Sequence, residues 1–417
     1  MTPAPRAVIA LAVIALCALV LPLAVVLLAV LVLIVATIVD ARAARTNPQV
    51  DRQVAEVLSR GVPSSLKAKA LAPAGGTIRL RQPAPPALTI EPREGKGTLE
   101  ASVVARHRGR HILPALATRA TGPLGLARWD HTVGAPAEVR VFPDLHAARR
   151  LTLAVARGRF RDQGATARGP LGLGTEFELI RDYEPDDDIR QVNWRATARL
   201  GRPMSNQYRL EQDRDLQLLL DAGRLSAAPL GEDGMTVLDA SLDAAAALAF
   251  VADELGDRTG AVAFDAEVRT ELKPRRAGGQ AVVRALFDLE PRPLDSDYEL
   301  AFRRAEGSKR ALVVVFCDLL EEAAARPLVA AVPVLSRRHA VVVASPSDPA
   351  LAALAAATGD DPLTRARATV AGDVLAARAR AAAQVRAAGA RVLEAPPDRL
   401  AAVLISAYLR AKARAVL

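Results

Sequence analysis

The sequence predicts three parts in series: an N-terminal transmembrane helical hairpin, a small β-sandwich, and an α/β domain on a mainly parallel, Rossmann-like sheet. Three observations carry this expectation. No charged side chain occurs from Ala7 to Val39. Short alternating runs punctuated by Pro and Gly fill the stretch from about Leu66 to Pro143. From Leu216 onward, apolar runs of strand length alternate with segments of helical period, the pattern of a sheet covered on both faces.

As one straight helix, Ala7–Val39 would be roughly 50 Å long, against a hydrocarbon core of roughly 30 Å. Pro22 lies near its middle, where it removes a backbone donor and disfavours helix at the residue before it. Two helices, about Ala7–Leu21 and Leu23–Val39, account for both facts. Arg6 precedes the stretch and Arg42 and Arg45 follow it, so a hairpin keeps all three on the cytoplasmic side. The alternative is a single tilted span or a signal anchor. The stretch is too long for a cleaved signal peptide and lacks a small-x-small exit. The expected location is therefore the inner membrane, multi-pass, with cytoplasmic soluble domains.

Past the hairpin (1–40), Asn47-Pro48 followed by Val50, Val54, Val57 and Leu58 suggests a juxtamembrane helix and linker (41–65). Runs such as Thr77–Arg81, Leu99–Val104 and Glu138–Phe142 define the β-sandwich (66–145). A connector (146–213) leads to the α/β domain (214–417). Its expected strands are Leu216–Leu220, Ala261–Phe264, Ala311–Cys317, Ala340–Ala344 and Arg391–Glu394. Its expected helices include Thr236–Leu255, Gln280–Leu289, Tyr298–Ala305 and Thr364–Ala387. A further helix, interrupted by Pro327 and Pro333, and a last one N-capped by Asp398 complete it.

The 417 residues suffice for two or three cores. Lys and Arg number 55 against 46 Asp and Glu, a net charge of +9, and residues 1–213 hold 29 of these cations against 19 acids. A positive excess beside the apolar segment fits attraction to anionic headgroups. Without interleaved aromatics or a nucleic-acid motif, it argues against nucleic acid as a partner. Cys17 and Cys317 alone build neither a disulfide framework nor a zinc cluster.

The segment Gly174–Arg199 is dense in unlike residues at fixed offsets. It carries Glu176, Phe177, Arg181, Asp182, Tyr183, Asp187, Asp188, Arg190, Trp194, Arg195, Thr197 and Arg199. This resembles the signature of the domain-of-unknown-function 58 family, with Asp186 where that family has Gly and Asn193 where Asp precedes the Trp. The turn Gly122-Pro123-Leu124-Gly125-Leu126 is similar to a second step of that family. The resemblance implies a membrane protein with a von Willebrand factor A-like C-terminal domain and a MoxR-type AAA+ ATPase as partner. Within the signature, charge pairing of Arg181, Arg190, Arg195 and Arg199 with the acids is expected, and Trp194 reads as a packing anchor.

A von Willebrand factor A domain, as the resemblance implies, holds a divalent ion through Asp-x-Ser-x-Ser, a Thr and a further Asp. Here the first loop reads Asp221-Ala222-Gly223-Arg224-Leu225, without either serine. Ser296, in Asp295-Ser296-Asp297, can replace the Thr because it offers the same hydroxyl, and Asp318 follows the Ala311–Cys317 strand. Asp221, Ser296 and Asp318 are thus either a Mg²⁺ site completed by water or a degenerate loop kept for structure.

Alternating acids Asp182, Glu184, Asp186 and Asp188 fail as an EF-hand, because Pro185 intrudes and Asp187 replaces the required Gly. His107 and His111 sit among Arg106, Arg108 and Arg110, which oppose a cation. No nucleophile elbow, phosphate-binding loop or dinucleotide fingerprint is present. The expected function is therefore a non-enzymatic, membrane-anchored adaptor without a cofactor. The alternatives are a metal-dependent receptor, a membrane enzyme drawing an acid or base from the signature, and an extracellular adhesion protein.

Overall fold

The computed structural model describes residues 2–72, 75–157, 176–184, 187, 189–209, 214–231, 234–306, 310–320, 322–359 and 361–413. The chain forms two compact units, divided between Phe142 and Pro143.

In the first unit, helices Pro5–Cys17 and Leu23–Arg45 are separated at Pro22. One of them, Leu23–Arg45, is long and apolar enough to cross a membrane. The other has 13 residues, about 20 Å of rise, and falls short of a span. Leu27, Leu28, Leu31 and Ile34 are exposed along the longer helix, the state of side chains awaiting an apolar solvent.

Three antiparallel-rich sheets follow, of five, four and three strands. Leu80, Leu116, Leu66, Ile90, Leu113 and Val141, drawn from all three, meet in one core. The inward residues alternate with exposed ones, most clearly along Ser64–Leu71 and Thr98–Ala105. The expected juxtamembrane helix is absent: Gln49–Val54 and Val57–Ser59 are strands, the first paired antiparallel with Ser64–Leu71. Val50 and Val54 pack on the core at a strand's two-residue repeat, which their fourfold spacing also satisfies.

Both ends of the helix pair converge on the turn Gly122–Ala127. Asp40, fully buried, accepts backbone N–H bonds from Leu124 (2.7 Å), Leu126 (2.7 Å) and Ala127 (2.8 Å). Ala4 donates to the Leu126 carbonyl at 2.8 Å. A Cβ at Gly122 would stand 2.2 Å from Asp40 Oδ1, so only glycine admits the carboxylate so close.

The second unit is built on a six-stranded sheet. Its order is Val268–Arg276, Arg258–Phe264, Asp215–Asp221, Ala311–Phe316, Ala340–Pro346, Arg391–Ala395. All neighbours are parallel except the Val268–Arg276 edge, a strand the apolar pattern did not foretell because its outer residues are charged. Two apolar clusters, one on each face, enclose the central strands. Helix Val237–Glu254 begins with a capping box, in which Thr236 accepts from the Asp239 N–H and Asp239 from the Thr236 N–H. Glu322–Ser336 stays helical through Pro327 and Pro333, held by Leu328, Val332 and Leu335, which are buried. The last helix starts at Pro397, so Asp398 lies in its first turn and is not its cap.

Candidate functional site

Asp215–Asp221 is buried along its whole length and ends on Asp221. On one side lies the chain's next parallel strand and on the other Ala311–Phe316. The carboxyl end of such a central strand, where the connections turn to opposite sides, is where open α/β sheets form a crevice. A hollow of about 270 Å³ lies there, lined among others by Asp221, Arg224, Ser296, Tyr298 and Pro327.

Asp221 is nearly enclosed, and both carboxylate oxygens are engaged. Oδ1 accepts from Ser296 Oγ at 2.5 Å and from the Gly223 N–H at 2.8 Å. Oδ2 accepts from the Tyr298 hydroxyl at 2.5 Å. Burial pushes the Asp221 carboxyl above its ordinary value, against the pull of these three donors. The Tyr298 phenol is driven well above its usual range by burial first, then by Asp221 and Cys317. It is a standing donor at neutral pH, not a base.

Gly223 explains the loop's departure from Asp-x-Ser-x-Ser. A Cβ there would lie 2.2 Å from Ser296 Oγ and 2.7 Å from the Leu294 carbonyl. The hydroxyl that a serine would have supplied from the first loop thus arrives from Ser296, and the first loop yields the space. Arg224 turns outward onto Asp295 at 2.5 Å.

Asp318 takes a different partner. Arg378, from helix Pro362–Ala387, gives Nη1 to Asp318 Oδ1 at 2.5 Å and Nη2 to the Pro346 carbonyl and Ser345 Oγ at 2.9 and 3.2 Å. Burial raises the Asp318 carboxyl, opposed chiefly by Arg378. Asp221 and Ser296 are therefore brought together, while Asp318 is neutralised by a guanidinium. These residues do not fit a divalent ion: both Asp221 oxygens are taken, and the third ligand already faces a fixed positive charge. Tyr298 and Arg378 escaped the sequence reading. Tyr298 lies two residues after Ser296, an available signal, whereas Arg378 is one arginine among several in an Ala/Arg-rich helix.

The signature forms a separate structure. Strands Glu176–Asp182 and Met204–Arg209 pair antiparallel, with helix Trp194–Leu200 between them in sequence. Arg181 grips Asp187 through two bonds of 2.9 and 2.5 Å, and the Glu184 N–H donates to Asp187 at 2.9 Å. Those donors, the Glu184 N–H first, hold the Asp187 carboxyl below its ordinary value. Asp182 meets Arg202 at 3.3 Å and the Tyr183 hydroxyl reaches the Asp187 carbonyl at 3.2 Å. Asn193 N-caps the helix through the Ala196 N–H at 2.9 Å, a task Asp performs equally. Thr197 Oγ1 accepts from the Met204 N–H at 3.0 Å.

Trp194 is 68% exposed, contrary to its expected role as a packing anchor, and Arg195 and Arg199 are exposed beside it. A seven-residue helix leaves its first side chain little to pack against. Arg190 sits in a short 3-10 turn. Asp188 lies outside the described residues, as do the side chains of Glu176 and Phe177.

The fold is mixed α/β, and the signature is one known only by number. The family described as "Protein of unknown function DUF58" matches residues 179–391, just over half of the chain, and the chain belongs to that family. It is also similar to uncharacterized proteins of Mycobacterium bovis and Mycobacterium tuberculosis, each 29% identical over 187 residues. That stretch covers 43% of this chain and 56% of each relative, so it spans about half the length of those proteins.

Proposed function

We propose that the protein is a membrane-anchored, non-enzymatic interaction protein whose C-terminal unit is a von Willebrand factor A-like module, working with an AAA+ ATPase of MoxR type. The observation that carries this reading is the closed chemistry at the crevice. Asp221 accepts from two hydroxyls and an amide on both oxygens, and Asp318 pairs with Arg378 through Oδ1. With both carboxylates engaged inside the protein, surface recognition is the use this reading gives that edge.

The strand order, with the first strand central and an antiparallel edge, supports the von Willebrand-like assignment. A shared core between antiparallel sheets supports a sandwich reading for the first unit. The convergence of both helix ends on Gly122–Ala127 agrees with a hairpin that enters and leaves on the same, cytoplasmic side. A phosphate-binding loop is missing from the sequence, so work done on a client would draw on the ATPase.

The test is crosslinking and affinity capture of the full chain from detergent-solubilised membranes. Recovery of an AAA+ ATPase is the expected result. Repeated capture without any such ATPase would refute the partnership.

A further inference from the structure

We propose that the first unit carries a binding site for the phosphate of an anionic lipid headgroup; the inference rests on the membrane-anchor reading above. On the outer face of the five-stranded sheet, Lys96 stands directly opposite Arg79, and Arg79 directly opposite Arg119. Like charges facing across strands destabilise a sheet. Among the described residues, only the end of this row is balanced, where Asp130 accepts from Arg119 at 2.6 and 2.9 Å. Glu94, nearby, pairs with Arg81 at 3.8 Å. Arg128 projects two residues from Asp130, and Arg6 lies over Gly125, 3.0 Å from where a Cβ would stand.

These five cations surround a hollow of about 740 Å³ with no Asp or Glu among its described lining residues. That volume lies within the range of small-molecule sites. An anion set between Arg79 and Lys96 converts a repulsive row into charge-assisted hydrogen bonds. The neighbouring surface fixes the rest of the ligand. Arg6 is in the first turn of the apolar helix Pro5–Cys17, whose Val8 and Ile9 are exposed just beyond it. A charged head beside exposed aliphatic side chains is the profile of a phospholipid, and basic hollows at helix ends are suited to anionic headgroups.

The full chain, in a neutral detergent, is titrated with phosphatidylglycerol or phosphatidylcholine and read by native mass spectrometry and thermal melting. Wild type should retain phosphatidylglycerol selectively. Arg79→Gln/Lys96→Gln should lose about thirtyfold in affinity, from the contribution of two cations at a membrane surface. Without lipid the same variant should melt no lower than wild type, because a repulsion has been removed. Lys67→Gln/Lys69→Gln, with the same charge change on another sheet, should keep its affinity; an equal loss in both variants would overturn the site in favour of diffuse attraction. Inorganic phosphate displacing the lipid at similar concentration would overturn the lipid assignment. Carbonate extraction of wild-type membranes keeps the two ideas separable. Release of the chain would sink the anchor reading itself, whereas retention without lipid selectivity sinks only this site.

Discussion

Two buried carboxylates at opposite ends of the six-stranded sheet, Asp257 and Asp221, are satisfied in opposite ways. At the amino end, Asp257 is fully buried against Lys412 at 2.6 Å and also receives the Tyr408 hydroxyl and the Arg214 N–H. Asp215 beside it is matched by Arg258 at 2.6 Å. At the carboxyl end, Asp221 has only neutral donors, and the hollow opens over it. Asp257 and Asp215 are sealed by ion pairs, the first of which pins the final helix. Asp221 is held by two hydroxyls and an amide below a recess, while its neighbours Asp265 and Asp318 at that end pair with Arg269 and Arg378. The difference separates a carboxylate locked by a cation from one held by neutral donors beside an open hollow.

The comparison breaks most visibly at the amino end. Lys412→Ala strands Asp257 in the interior, and unfolding of the full chain should show a loss of about 3–5 kcal/mol. If the loss is below about 1 kcal/mol, the Asp257–Lys412 pair is not structural. Arg378→Ala should cost somewhat less, about 3 kcal/mol, since helix Pro362–Ala387 has more exposed surface through which water can reach Asp318. Gly223→Ala drives a methyl into Ser296 and should cost about 1–3 kcal/mol, with Ser296→Gly in the same chain restoring part of it. Tyr298→Phe leaves Asp221 Oδ2 without its donor and should cost about 1–3 kcal/mol.

Acidification sharpens the contrast without mutation. The Asp187 carboxyl is held below its ordinary value of 3.8, so its contribution is intact above that pH and is lost as pH falls through the lower folded value. The Asp221 carboxyl is raised, so its contribution is fully present below 3.8 and is lost as pH rises through the folded value. Protection of the signature-hairpin amides, relative to their intrinsic exchange rate at each pH, should therefore fall at low pH while that of the loop at Asp221 does not. The smallest expected effect is none: millimolar Mg²⁺ or Mn²⁺ should leave the melting temperature unchanged, and a clear rise would show that Arg378 yields its place.

Much of the second unit was legible because buried parallel strands write themselves as uninterrupted apolar runs, as in Ala311–Phe316. Asp221 and Ser296 were found through the metal-loop pattern that the family resemblance implies, laid on the loop after the first apolar run. Arg378 was not, since its meaning depends on which residue of helix Pro362–Ala387 meets Asp318 across 60 positions of chain. The strand Gln49–Val54 was misread because valines four apart satisfy both helical and extended repeats. Trp194 was misread because its size suggests burial, and nothing in its neighbours announces a helix too short to shelter it.

Asp40 carries one more implication. Three amide bonds from the turn close on a carboxylate at the foot of the long apolar helix, and they allow no swivel there. The sheets of the first unit stand on that helix as a sign stands on its post, so tilting the post turns them with it.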